Sequence, residues 1–442
     1  MQDRLHNIGN AASGTCEWLV QHRTYRAWAT CDRGLLWIKG KPGSGKSTLL
    51  KYALDRRGVR DSALILSFFF HGRGDELQRT PLGLFRSLLH QVFAQAPDAL
   101  QDLVSKFETK LKQYGEPGKD WYWHEGELRP FLESSLPKVL QTRSIWLFID
   151  ALDECGEDNA VRLVEILKSL LKGLPYQSTG LGQFRICFSC RHYPILDLDE
   201  SMFGICAEDE NQRDISTFVD DRLATFRTRT SSTIPALIKE GASGVFLWAC
   251  FVVEQVLRLE CKGAGLEKME NTVRSTPPNL DKLYQRLIQD MEPDSLKLIQ
   301  WVCFAVRPLS VDELRWAMVI EADCPHRSLQ ACQSATDVPD SARMKRQVQD
   351  LSRGLAEVTD AQVVQFIHQS VKDFFVEKGL SALDASVTST EAAIRAHFRF
   401  SWICVCYLAM EEIGQATSYK HDDFPFLRYA TTSWTVIPAT VH

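Results

Sequence analysis

Eight residues near the start of the chain constrain the fold most: Gly40, Lys41, Pro42, Gly43, Ser44, Gly45, Lys46 and Ser47, followed by Thr48. They satisfy the pattern G-x-x-x-x-G-K-[ST], and they lie between an apolar run at 35–38 and a helix-like stretch at 46–57. A strand turning through glycines into a helix aims consecutive backbone N–H groups, and the positive end of the helix dipole, at one point. Such a point binds phosphate. Lys46 would neutralise phosphate oxygens, and the Ser47 hydroxyl would ligate Mg²⁺.

The rest of the first half agrees with that frame. Apolar runs at 35–38, 63–70, 145–149, 185–189 and 202–206 read as buried parallel strands, and helical stretches at 46–57, 82–94 and 161–171 separate them. This alternation predicts an α/β domain with right-handed crossovers. Ahead of it, residues 1–34 read as a helical annex in which Trp18, Leu19, Tyr25 and Trp28 form an apolar stripe. Beyond about residue 214 the strand signals fade, and helical periodicity follows at 214–226, 244–259 and 280–291. Helices at 311–317 and 344–354 then precede a β-like run at 361–367, an order suited to a small winged helix. Residues 321–343 read as a polar surface loop, and the tail from Thr388 starts a further helix pair.

The expected boundaries are therefore 1–34 for the annex, 35–225 for the nucleotide domain, 226–295 for a helical domain, 296–380 for the winged-helix-like domain and 381–442 for a C-terminal helical segment. A net charge of −5 supplies no basic field for a nucleic acid. The most apolar run, 244–253, has ten residues, fewer than a bilayer span needs, and the first residues lack a signal-peptide core. The 13 cysteines show no framework spacing. A cytoplasmic protein with free thiols, and with neither nucleic acid nor membrane as partner, is expected.

Three further groups carry chemistry. Residues 145–149 end in Asp150, a carboxylate that a phosphate-loop fold brings beside the metal. Asp153 and Glu154 follow just past the strand end. Either could orient or deprotonate an attacking water, with Glu154 the first candidate and Asp153 the rival. Arg191 closes the run at 185–189 and would emerge at the same edge, where a guanidinium stabilises phosphate charge. Cys187 and Cys190 have C-x-x-C spacing inside a strand pattern without a second pair, so they read as core thiols. His368 stands where an apolar strand passes into a helix, a common place for a capping histidine.

The strings LLWIKGKPGSGKSTLL, IWLFIDALDE and ICFSCRHYP together resemble the NACHT family of STAND-class phosphate-loop NTPases, in its fungal heterokaryon-incompatibility branch and its nephrocystin-3-like N-terminal form. GTCEWLVQHRTYRAW, ASGVFLWA, RPLSVDELRWA and FIHQSVKDFF extend the resemblance over roughly residues 13 to 440. It implies a parallel sheet of order 5-1-4-3-2, then a helical domain and a winged helix that folds back over the nucleotide. In such switches a winged-helix histidine contacts the β-phosphate of ADP, and His368 matches that position. Arg191 matches the sensor arginine.

The expected function is a NACHT-type, NLR-like switch that binds ATP or ADP with Mg²⁺, hydrolyses ATP slowly in preference to GTP, and signals through switch-dependent oligomerisation in fungal self/non-self recognition. A nucleotide-gated scaffold without appreciable turnover is the alternative. NACHT proteins usually carry an effector domain before the core and repeats after it. Here about 34 residues precede the core, and the chain ends near where repeats would begin, so a fragment and a minimal switch are both open.

Overall fold

The computed structural model describes residues 3–57, 63–173, 182–192, 202–224, 232–288, 291–321, 325–336, 338–379, 388–415 and 424–433. The expected domain boundaries at 225/226 and 380/381 lie outside these residues. The chain divides into two compact units, Met1–Thr276 and Pro277–His442.

In the first unit, β1 (Arg33–Lys39), β2 (Leu64–Phe69), β3 (Ile145–Asp150), β4 (Phe184–Cys190) and β5 (Phe203–Cys206) form one sheet in the order β2-β3-β4-β1-β5. Every pairing is parallel, with Trp37 opposite Phe188, Ile38 opposite Ile205, and Ile149 opposite Phe188. The sheet order implied by the family resemblance is thus the one observed. All residues of β3 and β4 are buried. Parallel strands covered on both faces need apolar residues at every position, which is why they stand out as continuous runs.

Side chains alternate between two cores. Leu35 and Trp37 enter one with α5 (Pro81–Gln95), α7 (Glu125–Leu140) and α8 (Glu157–Lys172), whereas Leu36 and Ile38 enter the other with α4 (Lys46–Arg57) and the N-terminal helices. Those helices are α1 (Asp3–Asn7), α2 (Glu17–Gln21) and α3 (Arg23–Thr30). The expected stripe is real: Leu19, Tyr25 and Trp28 are buried, and Trp28 meets Trp146 edge-on at 5.1 Å while donating to the Gly34 carbonyl. Arg185 of β4 lies over the same Trp146 ring at 4.5 Å and donates to the Cys31 carbonyl at 2.7 Å, tying annex to sheet.

Residues 101–140, for which the sequence reading names no element, form α6 (Gln101–Tyr114) and α7. Pro130 and Pro137 inside α7 conceal it, because an interior proline removes a helical hydrogen bond. Beyond β5 come α9 (Ala207–Glu210), α10 (Gln212–Arg222), and helices at Ile234–Ala242, Phe246–Cys261 and Leu266–Ser275.

In the second unit, helices Leu280–Ile288, Pro293–Phe304, Val311–Val319 and Ser341–Leu351 lead to a hairpin of β6 (Ala356–Val358) and β7 (Val364–Phe366). The β-like run is therefore one arm of a pair, with Ala356 opposite Phe366. The expected loop at 321–343 is corrected: Leu329–Thr336 is helical, with Leu329 and Cys332 buried. Its first N–H groups, from Leu329 and Gln330, donate to the Glu412 carboxylate at 2.9 and 3.1 Å. Ser328 Oγ accepts from the Ala331 N–H at 3.1 Å, so a local cap and a carboxylate from about eighty residues away share this helix start. The tail forms Ser389–Leu408, Glu411–Gln415 and Leu427–Ser433. Among the described residues no helix is long and apolar enough to cross a membrane, and every cysteine is a free thiol.

Candidate functional site

The parallel register sets the carboxyl ends of β1, β3 and β4 at one edge, so residues 40–47, Asp150 and Arg191 emerge together there. Gly43 and Gly45 have φ of 75° and 85°, a region that L side chains resist. A Cβ on Gly43 would stand 2.7 Å from Leu247 Cβ, and the Leu247 N–H donates to the Gly43 carbonyl at 2.9 Å. The phosphate loop is thus braced by the helix Phe246–Cys261.

Two more braces come from the residues just past β5. Glu208 of α9 accepts from the Lys41 N–H at 3.1 Å, and the Asn211 side chain donates to the Ser44 carbonyl. The other oxygen of Glu208 meets His192 Nε2 at 2.5 Å. Burial would raise the Glu208 carboxyl, but the His192 bond and backbone N–H groups hold it below its ordinary value. Cys206 Sγ joins His192 and Glu208 in a group whose potential ligand atoms lie within 4.8 Å of one another. Burial and the nearby carboxyls of Asp209 and Glu208 push that thiol up to about 12, so it is held as a thiol there. Sequence reasoning names none of Glu208, Asn211 and Leu247 as site residues.

Lys46 folds back over the loop. Its ammonium donates to the carbonyls of Gly40 and Lys41 at 2.8 and 2.9 Å. Burial lowers its pKa, against the pull of Asp153 and Asp150. An ammonium so placed can exchange carbonyls for phosphate oxygens. The Ser44 hydroxyl is buried with no hydrogen-bond partner.

Asp150 is fully buried. Ser189 Oγ donates to its Oδ1 at 2.6 Å and accepts from the Ala151 N–H at 2.8 Å, while Oδ2 is buried without a hydrogen-bond partner. Burial pushes the carboxyl up, against the Ser189 and Ser47 hydroxyls and the charges of Arg4 and Lys46. An orphaned carboxylate oxygen next to a serine hydroxyl is a hard oxygen pair that suits Mg²⁺. The residues present fit that ion.

Ala151 takes a φ of 51°, in the left-handed region, and turns the chain sharply into the single helical turn Leu152–Cys155. That turn separates the two candidate bases. Both oxygens of Asp153 are engaged by Arg191, through Nε at 2.9 Å and the backbone N–H at 3.1 Å. Glu154 uses one oxygen on the Gly72 N–H at 2.6 Å. Burial raises the Glu154 carboxyl, while Arg4, Arg73 and the Gly72 bond pull it down. A desolvated carboxylate of raised pKa suits proton acceptance.

Thr48 follows Ser47 in the first turn of α4, and Pro42 lies at the loop apex. Cys187 and Cys190 are buried in β4 as core thiols. His368 belongs to the second unit, where it caps the helix Gln369–Phe374: its Nδ1 accepts from the Ser370 N–H at 3.1 Å and meets the Ser370 hydroxyl at 2.8 Å. That hydroxyl in turn bonds the Tyr284 phenol at 2.9 Å.

Residues 14–191 match the family described as "Nephrocystin 3, N-terminal", and residues 287–387 match "GPI inositol-deacylase, winged helix domain". The chain is 25% identical over 405 residues to vegetative incompatibility protein HET-E-1 of Podospora anserina, covering 86% of this chain and 27% of that protein. It is 22% identical over 176 residues to azaphilone pigments biosynthesis cluster protein L of Monascus ruber, covering 37% of this chain and 35% of that protein. It therefore spans about a quarter to a third of the length of these relatives. Among solved structures, the Walker-type ATPase PABY2304 of Pyrococcus abyssi aligns over 84% of this chain and 99% of that one, at 12% identity and a TM-score of 0.35, too distant to bear on function.

Proposed function

We propose that the chain is a NACHT-like phosphate-loop NTPase of the fungal type, a reading supported by the match over residues 14–191 and the kinship with HET-E-1, and that it is a signalling switch that binds ATP and ADP with Mg²⁺ and hydrolyses ATP slowly. The observation that carries this reading is the convergence on one sheet edge of the phosphate loop, the orphaned Asp150 oxygen and the desolvated Glu154. The loop amides and Lys46 bind the phosphates. Ser47 and Asp150 hold Mg²⁺, which when bound neutralises charge on the phosphate oxygens. Glu154 orients a water for attack and takes its proton. Arg191, fixed by Asp153, supplies positive charge near the terminal phosphate.

By resemblance, His368 contacts the β-phosphate of ADP in a closed state, and exchange for ATP opens the switch toward oligomers. A role in self/non-self signalling, a preference for ATP over GTP and a cytoplasmic location belong to the same proposal. The kinship with HET-E-1 supports it.

The test is to purify the chain, identify nucleotide released on denaturation, and follow phosphate release from Mg·ATP. Bound ADP with slow release that Glu154→Gln abolishes is the expected result. Bound nucleotide without any release would replace the hydrolytic switch by a nucleotide-gated scaffold. A wild-type protein that takes up no nucleotide would overturn the reading.

A further inference from the structure

The N-terminal helix α1 brings a cation to the nucleotide edge from far ahead of the phosphate loop in sequence. Arg4 acts electrostatically on both Asp150 and Glu154, and for Glu154 it is the largest of the favourable charges. Its Nε is nevertheless buried without a hydrogen-bond partner. A guanidinium presents five donors in a planar fork, and leaving one desolvated and unsatisfied is costly unless a ligand completes it.

The placement is anchored. Leu5 packs against the apolar cluster that includes Leu49, Leu50 and Trp28, Ile8 is buried in it, and Lys51 Nζ donates to the Ile8 carbonyl at 2.5 Å. Lys51 lies on α4, the helix that begins in the phosphate loop, so α1 is fastened to the element that positions the phosphates. Lys46 and the loop amides would serve the β- and γ-phosphates. With Asp150 and Glu154 in their proposed roles, a cation facing both would stand near the terminal phosphate and its attacking water.

Resting on the nucleotide-site reading above, we infer that Arg4 is a phosphate-contacting residue supplied in cis by the N-terminal helix, and that its ligand is the terminal phosphate of a nucleoside triphosphate. Arg4 then discriminates triphosphate from diphosphate. A diphosphate leaves the guanidinium unsatisfied, whereas a triphosphate gives it charge-assisted, bidentate bonds.

The test uses the full chain with Mg²⁺ and measures displacement of a fluorescent ADP by ADP and by a non-hydrolysable ATP analogue, in wild type, Arg4→Ala, Arg4→Gln and Arg4→Lys. In the Ala and Gln variants ADP affinity should stay within about 2-fold of wild type while the triphosphate analogue weakens roughly 10-fold or more, and Lys should recover part of the loss. The ratio of the two affinities is a readout that general loss of structure does not move selectively. Equal weakening of both nucleotides, or no change in either, would overturn the inference and make Arg4 a counter-charge for buried carboxylates. Wild-type protein that binds neither nucleotide would overturn the site reading itself, a failure distinguishable before any variant is made.

Discussion

Glu154 stands where a carboxylate is costly. Burial raises its pKa above the ordinary value of 4.5, and Arg4, Arg73 and the Gly72 N–H recover only part of the cost. The folded state therefore holds a proton that the unfolded chain has already released, so stability falls as pH rises from about 4.5 through the folded value and stays lower above it. Glu154→Gln removes that penalty. The nucleotide-free variant should melt higher than wild type, the gap should widen from mildly acidic to neutral pH, and hydrolysis should be lost with nucleotide binding retained; thermal melts across pH and a phosphate-release assay check both. Ser189 makes the opposite case, since its hydroxyl satisfies Asp150 and the Ala151 N–H together. Ser189→Ala orphans a buried N–H and should cost about 1–3 kcal/mol, read from chemical denaturation. Lys46→Ala should abolish detectable nucleotide binding, because it removes the ammonium that lies over the loop.

At the scale of elements, the phosphate loop is held by segments that follow β5 as much as by the strand it leaves. Gly244 shows how tightly. It has a φ of 78°, and a Cβ there would collide with the Glu208 carbonyl. Gly244→Ala should therefore weaken nucleotide binding without touching any loop residue, together with about 1 kcal/mol or more of stability, by calorimetry and denaturant melts. The five strands and α4 are legible in sequence because buried parallel strands are apolar at every position and the motif marks the turn between strand and helix. Asp150, Asp153, Glu154 and Arg191 follow from strand ends. Glu208, Asn211 and Leu247 do not, since each acts on a residue more than 160 positions away through the fold. The helix Leu329–Thr336 takes a local cap from Ser328 but a second one from Glu412, which only the fold supplies, and α7 is hidden by its two prolines. Telling Asp153 from Glu154 needs coordinates, because the Arg191 pairing of the first and the Gly72 bond of the second are what separate neighbouring acids.

On the scale of the whole molecule, the division at Thr276 separates a unit that holds every proposed nucleotide contact except His368 from a unit that holds His368. Residues 1–276 produced alone should unfold cooperatively and bind nucleotide. If the proposed histidine contact operates, ADP should leave that fragment faster than it leaves the full chain, and His368→Ala in the full chain should reproduce the faster release in stopped-flow measurements. The order β2-β3-β4-β1-β5 has a consequence for biosynthesis. Both neighbours of β1 are encoded long after it, and the residues that brace the phosphate loop come later still. At about 5–20 residues per second, a nascent chain carries an unpaired apolar strand for on the order of ten seconds before β4 and β5 leave the ribosome. Over that interval the loop lacks the braces that follow β5, so nucleotide can assist only the last step of folding.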